Sequence, residues 1–181
     1  MRVKDLFVYL NFVIMQCPIC KKDEFTQTVQ TVNVEHFGEV LIITQKCANC
    51  GYKHIDVFPA EIRDPCEYEL KVETKEELYA KVIRSSSGEV EIPELGLKIT
   101  PGPAAQGFIT NVEGILLRFE NVLEGQLVVE KDEKKREKIK EILNKIEKAK
   151  EGRMKFTIKV RDPYGNSAIV SEKAKKEKMK Y

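Results

Sequence analysis

The sequence predicts a mainly β protein with some α: a small module built on four cysteines, then a β domain that carries a helical hairpin. Three observations point there. Two Cys-x-x-Cys pairs, Cys17-Pro18-Ile19-Cys20 and Cys47-Ala48-Asn49-Cys50, stand 26 residues apart near the N-terminus. Short segments of alternating apolar residues recur on both sides of residues 110–151. Inside that stretch the apolar residues recur at helical spacing instead.

The cysteines carry the sharpest chemistry. Each two-residue spacer lets the backbone curl until both sulfurs face one point, so two such pairs can hold one Zn²⁺ tetrahedrally. Gly51 suits the tight backbone after the second pair. A single pair is ambiguous between redox and metal chemistry, and the competing reading of two is a pair of unrelated redox or buried dithiols. Four thiolates fill the tetrahedron and leave no position for water or substrate. Cys17, Cys20, Cys47 and Cys50 therefore predict one structural zinc. His54 reads as a polar strand residue rather than a substitute ligand, and His36 as structural or surface. The fifth cysteine, Cys66, reads as a part-buried lone thiol. This usage fits a reducing compartment and predicts a cytoplasmic protein.

Charge is divided along the chain. Residues 1–130 carry 13 Lys and Arg against 20 Asp and Glu, and residues 131–181 carry 18 against 9. The cysteine module's own segment, residues 16–70, has 5 basic and 9 acidic residues. A zinc module that grips phosphates is expected to be basic, so this balance weighs against nucleic acid as its target.

In chain order, residues 1–15 are apolar clusters behind Arg2 and Lys4, interrupted by Asp5 and Asn11. They lack a small-x-small cleavage site and are too short to span a bilayer. They read as an extension upstream of a start at Met15, with an added edge strand as the alternative. The zinc module is expected over 16–58, as strands Phe25–Val34, Val40–Thr44 and Tyr52–Phe58. The second domain is expected over 59–171. It should begin with a strand at Tyr68, Leu70 and Val72. Thr74-Lys75-Glu76-Glu77 reads as a capping box opening a short helix that turns Leu78 and Val82 inward. Ser85–Gly88 reads as a turn, with short strands on either side of Pro93.

Thr110-Asn111-Val112-Glu113 reads as a second capping box, starting a helix that Gly125 suits to end. Residues 131–151 form the other arm of the hairpin, with Ile139, Ile142, Leu143, Ile146 and Ala149 on one stripe. Met154–Val160 returns to strand. A turn at Asp162–Asn166 is expected to lead Ser167–Ser171 back beside it, and residues 172–181 read as a disordered Lys-rich tail.

The motifs now in view resemble the ZPR-type zinc-finger family. The resemblance runs from Cys17 to about Ser171, through Phe37-Gly38-Glu39-Val40, Cys47–Tyr52, Ile92-Pro93-Glu94-Leu95, Thr110–Leu116 and Asp162–Ser167. Eukaryotic members are similar to two such modules in tandem, so this chain looks like the archaeal single-module form. The resemblance implies a four-cysteine finger joined to a β-sandwich of double-stranded β-helix type with an inserted helical hairpin. It also implies a protein partner, the translation elongation factor that delivers aminoacyl-tRNA, and a role in that factor's maturation.

No phosphate loop, glycine fingerprint or nucleophile–base spacing is present in the sequence, so an enzyme is not expected. The expected function is a zinc-stabilised protein-interaction module. The alternative is a nucleic-acid-binding zinc ribbon that grips through Lys131–Lys150 and the tail. Recognition residues usually sit on loops of a rigid scaffold. Two loops are candidates: Thr100–Gly107, with Gly102, Pro103, Ala104 and Gln106, and the turn that holds Asp162 and Asn166.

Overall fold

The computed structural model describes residues 16–35, 37–61 and 63–179; the expectations for residues 1–15 and His36 lie outside that range. Strands β1 (Phe25–Val34) and β2 (Gly38–Cys47) pair over their full ten residues, from Phe25 opposite Cys47 to Val34 opposite Gly38. Strand β3 (Lys53–Pro59) adds to the other edge of β2. The three make a ribbon of about 34 Å at the usual antiparallel rise. Its two ends therefore do different jobs: Phe25 and Cys47 close one end, while Val34, Phe37 and Val40 pack at the other.

The second domain stacks two sheets. One has the order β11 (Lys175–Lys178), β4 (Cys66–Val72), β9 (Phe156–Asp162), β6 (Glu89–Ile92), β7 (Leu97–Ile99). The other is β10 (Ala168–Val170), β5 (Lys81–Arg84), β8 (Phe108–Asn111). The strand pairings in both sheets are antiparallel. The period of two assigns the faces of the larger sheet. Leu70, Val72, Val90, Ile92, Ile158 and Val160 point into the core. Glu67, Glu69, Glu89, Glu91, Lys159 and Arg161 form a cross-strand ion-pair lattice outside, with contacts of 2.7–3.2 Å.

Helix α1 (Val112–Val129) and helix α2 (Glu133–Lys150) form the inserted hairpin. Ile115, Leu116, Phe119 and Leu123 of α1, with Ile146 and Ala149 of α2, join the same core. Lys150 Nζ ties the two helices by donating to both carboxylate oxygens of Glu120. The tight connection is capped from both sides. Asp132 accepts from the Lys134 and Lys135 N–H groups, and the Arg136 guanidinium donates to the Leu127 and Glu130 carbonyls.

Five expectations need correction. Glu77 does reach back to the Thr74 N–H, but only a 3-10 turn (Glu76–Tyr79) follows, and Val82 lies in strand β5. That strand is central. Val82 faces the sandwich core and Ile83 the ribbon, so its apolar run reflects burial on both faces. Asn111, not Thr110, caps α1 by accepting from the Gly114 N–H. The helix continues past Gly125 to Val129 because its apolar face is held by the core and by α2.

After the turn at 162–166 the chain crosses to the other sheet, so β10 pairs with β5, not β9. The Lys-rich tail is ordered through Lys178. Strand β11 pairs with β4, and Lys173 binds the buried Glu77 carboxylate.

Candidate metal centre

The two cysteine pairs fold into matching knuckles. The Lys21 N–H donates to the Cys17 carbonyl and the Gly51 N–H to the Cys47 carbonyl; the Cys17 and Cys47 N–H groups donate to the Lys22 and Tyr52 carbonyls. Each knuckle turns through a left-handed residue four positions after its first cysteine: Gly51 at φ +73° and Lys21 at φ +61°. Glycine takes that conformation freely, whereas lysine does so at a cost.

The result brings all four sulfurs within 4.8 Å of one another, with Cys17–Cys50 and Cys20–Cys47 at 3.6 Å. A tetrahedron with zinc–sulfur arms of about 2.3 Å has edges near 3.8 Å, so the sulfurs fit a single Zn²⁺. Their titration argues the same way. The Lys22 backbone N–H, with help from Asn49, holds the Cys20 thiol down to about 6. Cys50 receives the Tyr52 N–H, yet burial and the three neighbouring sulfurs push it up to about 12. Four thiolates in so small a space repel one another, and a divalent cation relieves that repulsion. Phe25 stacks on Tyr52 beneath the knuckles, with ring centroids 6.1 Å apart.

Residues 12–63 match the ZPR1 zinc-finger domain and residues 76–181 the ZPR1 jelly-roll domain. This chain belongs to the ZPR1 family. It is 43% identical to a ZPR1-like protein of Pyrococcus horikoshii, over 90% of this chain and 75% of that protein. A ZPR1-like protein of Methanocaldococcus jannaschii is 41% identical, over 92% and 85% respectively. The zinc finger chaperone zpr1 of Schizosaccharomyces pombe is 31% identical over 84% of this chain, which covers 34% of that longer protein. The four cysteines of this ZPR1 zinc finger are thus positioned to bind one zinc ion.

The ZPR1 jelly roll receives the far end of the ribbon through a buried polar junction that the sequence reading passed over. Asp56 of β3 accepts from the Ser86 N–H and hydroxyl. Asp162, at the end of β9, accepts from the hydroxyls of Ser85, Ser87 and Ser167. The segment read as a simple turn, Ser85–Gly88, is therefore the clasp between ribbon and sandwich. Arg84 lies beneath it, 3% exposed, donating to the Gly88 and Gln106 carbonyls. Burial lowers its proton affinity, and the nearby Asp56 and Asp162 charges restore part of it.

The candidate recognition residues divide accordingly. Asp162 is fully buried and its carboxylate accepts from three serine hydroxyls and from the Tyr164 N–H of its own turn, which removes it from any partner surface. Gly165 of the same turn sits at φ +70°, where an added Cβ would lie 2.4 Å from the Asp64 carbonyl oxygen, so that turn is built for packing. Asn166 is half-buried. Gly102, Pro103, Ala104 and Gln106 are exposed. The Gln106 amide nevertheless donates to the Lys53 carbonyl, and the Gly107 N–H to that of Ile55, which fixes this loop against β3. His54 lies in β3 opposite Gln45, outside the sulfur cluster. Cys66 is buried with its thiol pushed up by burial, and donates to the Ser167 carbonyl. Such a thiol is inert.

Proposed function

We propose that this chain is a zinc-stabilised protein-interaction module of the cytoplasm. It acts without catalysis, as partner or folding assistant of the elongation factor that delivers aminoacyl-tRNA. The observation that carries the reading is the closed donor set: four cysteine sulfurs on one tetrahedron leave the metal no position for a reacting group. Membership of a family in which a fission-yeast relative bears the name chaperone supports a role in handling another protein. The elongation factor itself comes from the family resemblance. The acidic balance of residues 16–70 suits it, because a tRNA-binding surface is basic and complementary charge steers association.

The exposed part of the 100–107 loop, fixed beside β3, is the proposed contact. Calorimetry of the zinc-loaded protein with the elongation factor of its own organism tests this. Binding at tens of micromolar or tighter (about −6 kcal/mol or better) is expected, weakened by Ala104→Asp. No heat at those concentrations rejects the partner. Tight, steeply salt-dependent binding to RNA would favour the nucleic-acid reading instead.

A further inference from the structure

Beside that loop, helix α1 and strand β7 enclose a cleft of about 570 Å³. Its walls are Leu97, Ile99, Phe119 and Val122, and Phe108 forms part of its lining. Two guanidiniums share the Phe108 ring, Arg118 at 4.1 Å and Arg84 at 5.4 Å from its centroid. Among the described residues no Asp or Glu lines the cleft, in a chain with 29 of them. The third cation there, Lys98, is paired with Glu89 at 2.9 Å. Among the described residues no carboxylate pairs with Arg118. Its charge instead adds to that of Arg84. An exposed guanidinium on an aromatic ring, with a second, buried one against the same ring and apolar walls beside it, attracts a carboxylate that carries apolar neighbours.

The cleft also has length. Leu123 and Gln126 line it and a second groove of about 440 Å³ that continues past Val129 toward Ile139. From Arg118 to Val129 the helix rises about 17 Å, the reach of five extended residues rather than of a small molecule. We infer that this cleft binds an extended acidic–apolar peptide segment of a protein partner, its carboxylate on the exposed Arg118, with the buried Arg84 adding positive charge from beneath, and its apolar side chains on Leu97, Ile99, Phe119 and Val122. The inference rests on the protein-interaction reading and gives that function a second contact, next to the 100–107 loop.

The test uses the zinc-loaded full chain and a fluorescein-labelled nonapeptide, Gly-Ser-Leu-Asp-Glu-Phe-Leu-Gly-Ser, read by fluorescence anisotropy. Saturable binding is expected. It should weaken at least tenfold in Arg118→Glu or when the peptide's Asp and Glu are replaced by Lys, with partial retention in Arg118→Lys. Arg118 is exposed, so these variants keep the fold, which an unchanged melting curve checks. Absence of saturation, equal binding by Arg118→Glu, or equal binding of the Lys peptide overturns the inference. So does concentration-dependent dimerisation of the protein alone that Arg118→Glu abolishes, which would assign the cleft to a second copy. Peptide binding with no elongation-factor binding would keep the cleft and reject only the named partner. The reverse result would reject the cleft alone.

Discussion

At the metal end of the ribbon, Cys17, Phe25 and Cys47 are the buried core, with Cys20 and Tyr52 packed against them. The sandwich buries nineteen side chains in one cluster that spans both sheets and both helices. A unit with so few apolar side chains cannot offset the entropy of ordering its backbone, and metal binding becomes its folding energy. The sandwich has a large apolar core of its own, and its buried polar groups, Asp162 with its three serines, fix one arrangement of strands. Where the two meet, the far end of the ribbon borrows the sandwich's core through Ile83 and Ala168. The comparison teaches that stability can be graded along a single hairpin of two ten-residue strands, with its metal end dependent on zinc and its far end on tertiary packing.

The largest effect should come from the metal. Structural zinc contributes on the order of 10 kcal/mol to small fingers. Chelation, or Cys47→Ser, should release zinc and remove amide-exchange protection around residues 16–30 and 44–53, while β4, β6 and β9 stay protected. Loss of protection in both domains would break the comparison. Asp162→Ala should act the other way round. It leaves buried serine hydroxyls without their acceptor, at about 3 kcal/mol, and should lower the sandwich's thermal transition with zinc content unchanged.

The junction can be tested by bulk. A Cβ on Gly107 would lie 2.6 Å from the Val57 backbone nitrogen, so Gly107→Val should push β3 off β8. A cost of about 1–3 kcal/mol is expected. The sharper readout is the separation of one unfolding transition into two by calorimetry.

Acid provides a test confined to the sandwich. The Lys173 ammonium, with the Thr74 N–H, holds Glu77 down to about 2, from an ordinary value of 4.5. Because the folded value is depressed, the stability it contributes is present above pH 4.5 and is lost as pH falls toward 2. Glu77→Gln should flatten the acid limb of the sandwich's melting temperature over that window. An unchanged slope would show the pairing to be ineffective.

The smallest effects are opposite backbone swaps in the two regions. Lys21→Gly should stabilise the zinc knuckle by up to about 1 kcal/mol by relieving its left-handed φ. Gly125→Ala, mid-helix with nothing within 4 Å of the added Cβ, should raise only the sandwich transition, by about 1 kcal/mol.

Local chemistry was legible in the chain. Cysteine spacing specified the four donors, β-branched and apolar runs specified β1 to β3, alternation specified β4 and β9, and helical spacing specified both arms of the hairpin, because each signal is completed within a few residues. Helix ends were less so. Gly125 reads as a stop, yet packing of α1 on α2 and the core outweighs a glycine's cost of about 1 kcal/mol.

What remained hidden depends on distant residues. Ser85–Ser87 resemble any polar turn until Asp56 and Asp162 are brought beside them. Arg84, Phe108 and Arg118 sit on three separate elements and converge only when α1 lies across β5 and β8. The Lys-rich end reads as disordered because its order comes from β4 and Glu77, about a hundred residues earlier. Asp162 looks like an exposed turn residue, and only the crossing from β9 to β10 buries it. The sequence by itself determined the metal, strands β1 to β4 and β9, and the hairpin, since their signals are local. Tertiary structure decided the clasp, the acid-free cleft and the fate of the tail, since each is made by groups that only folding brings together.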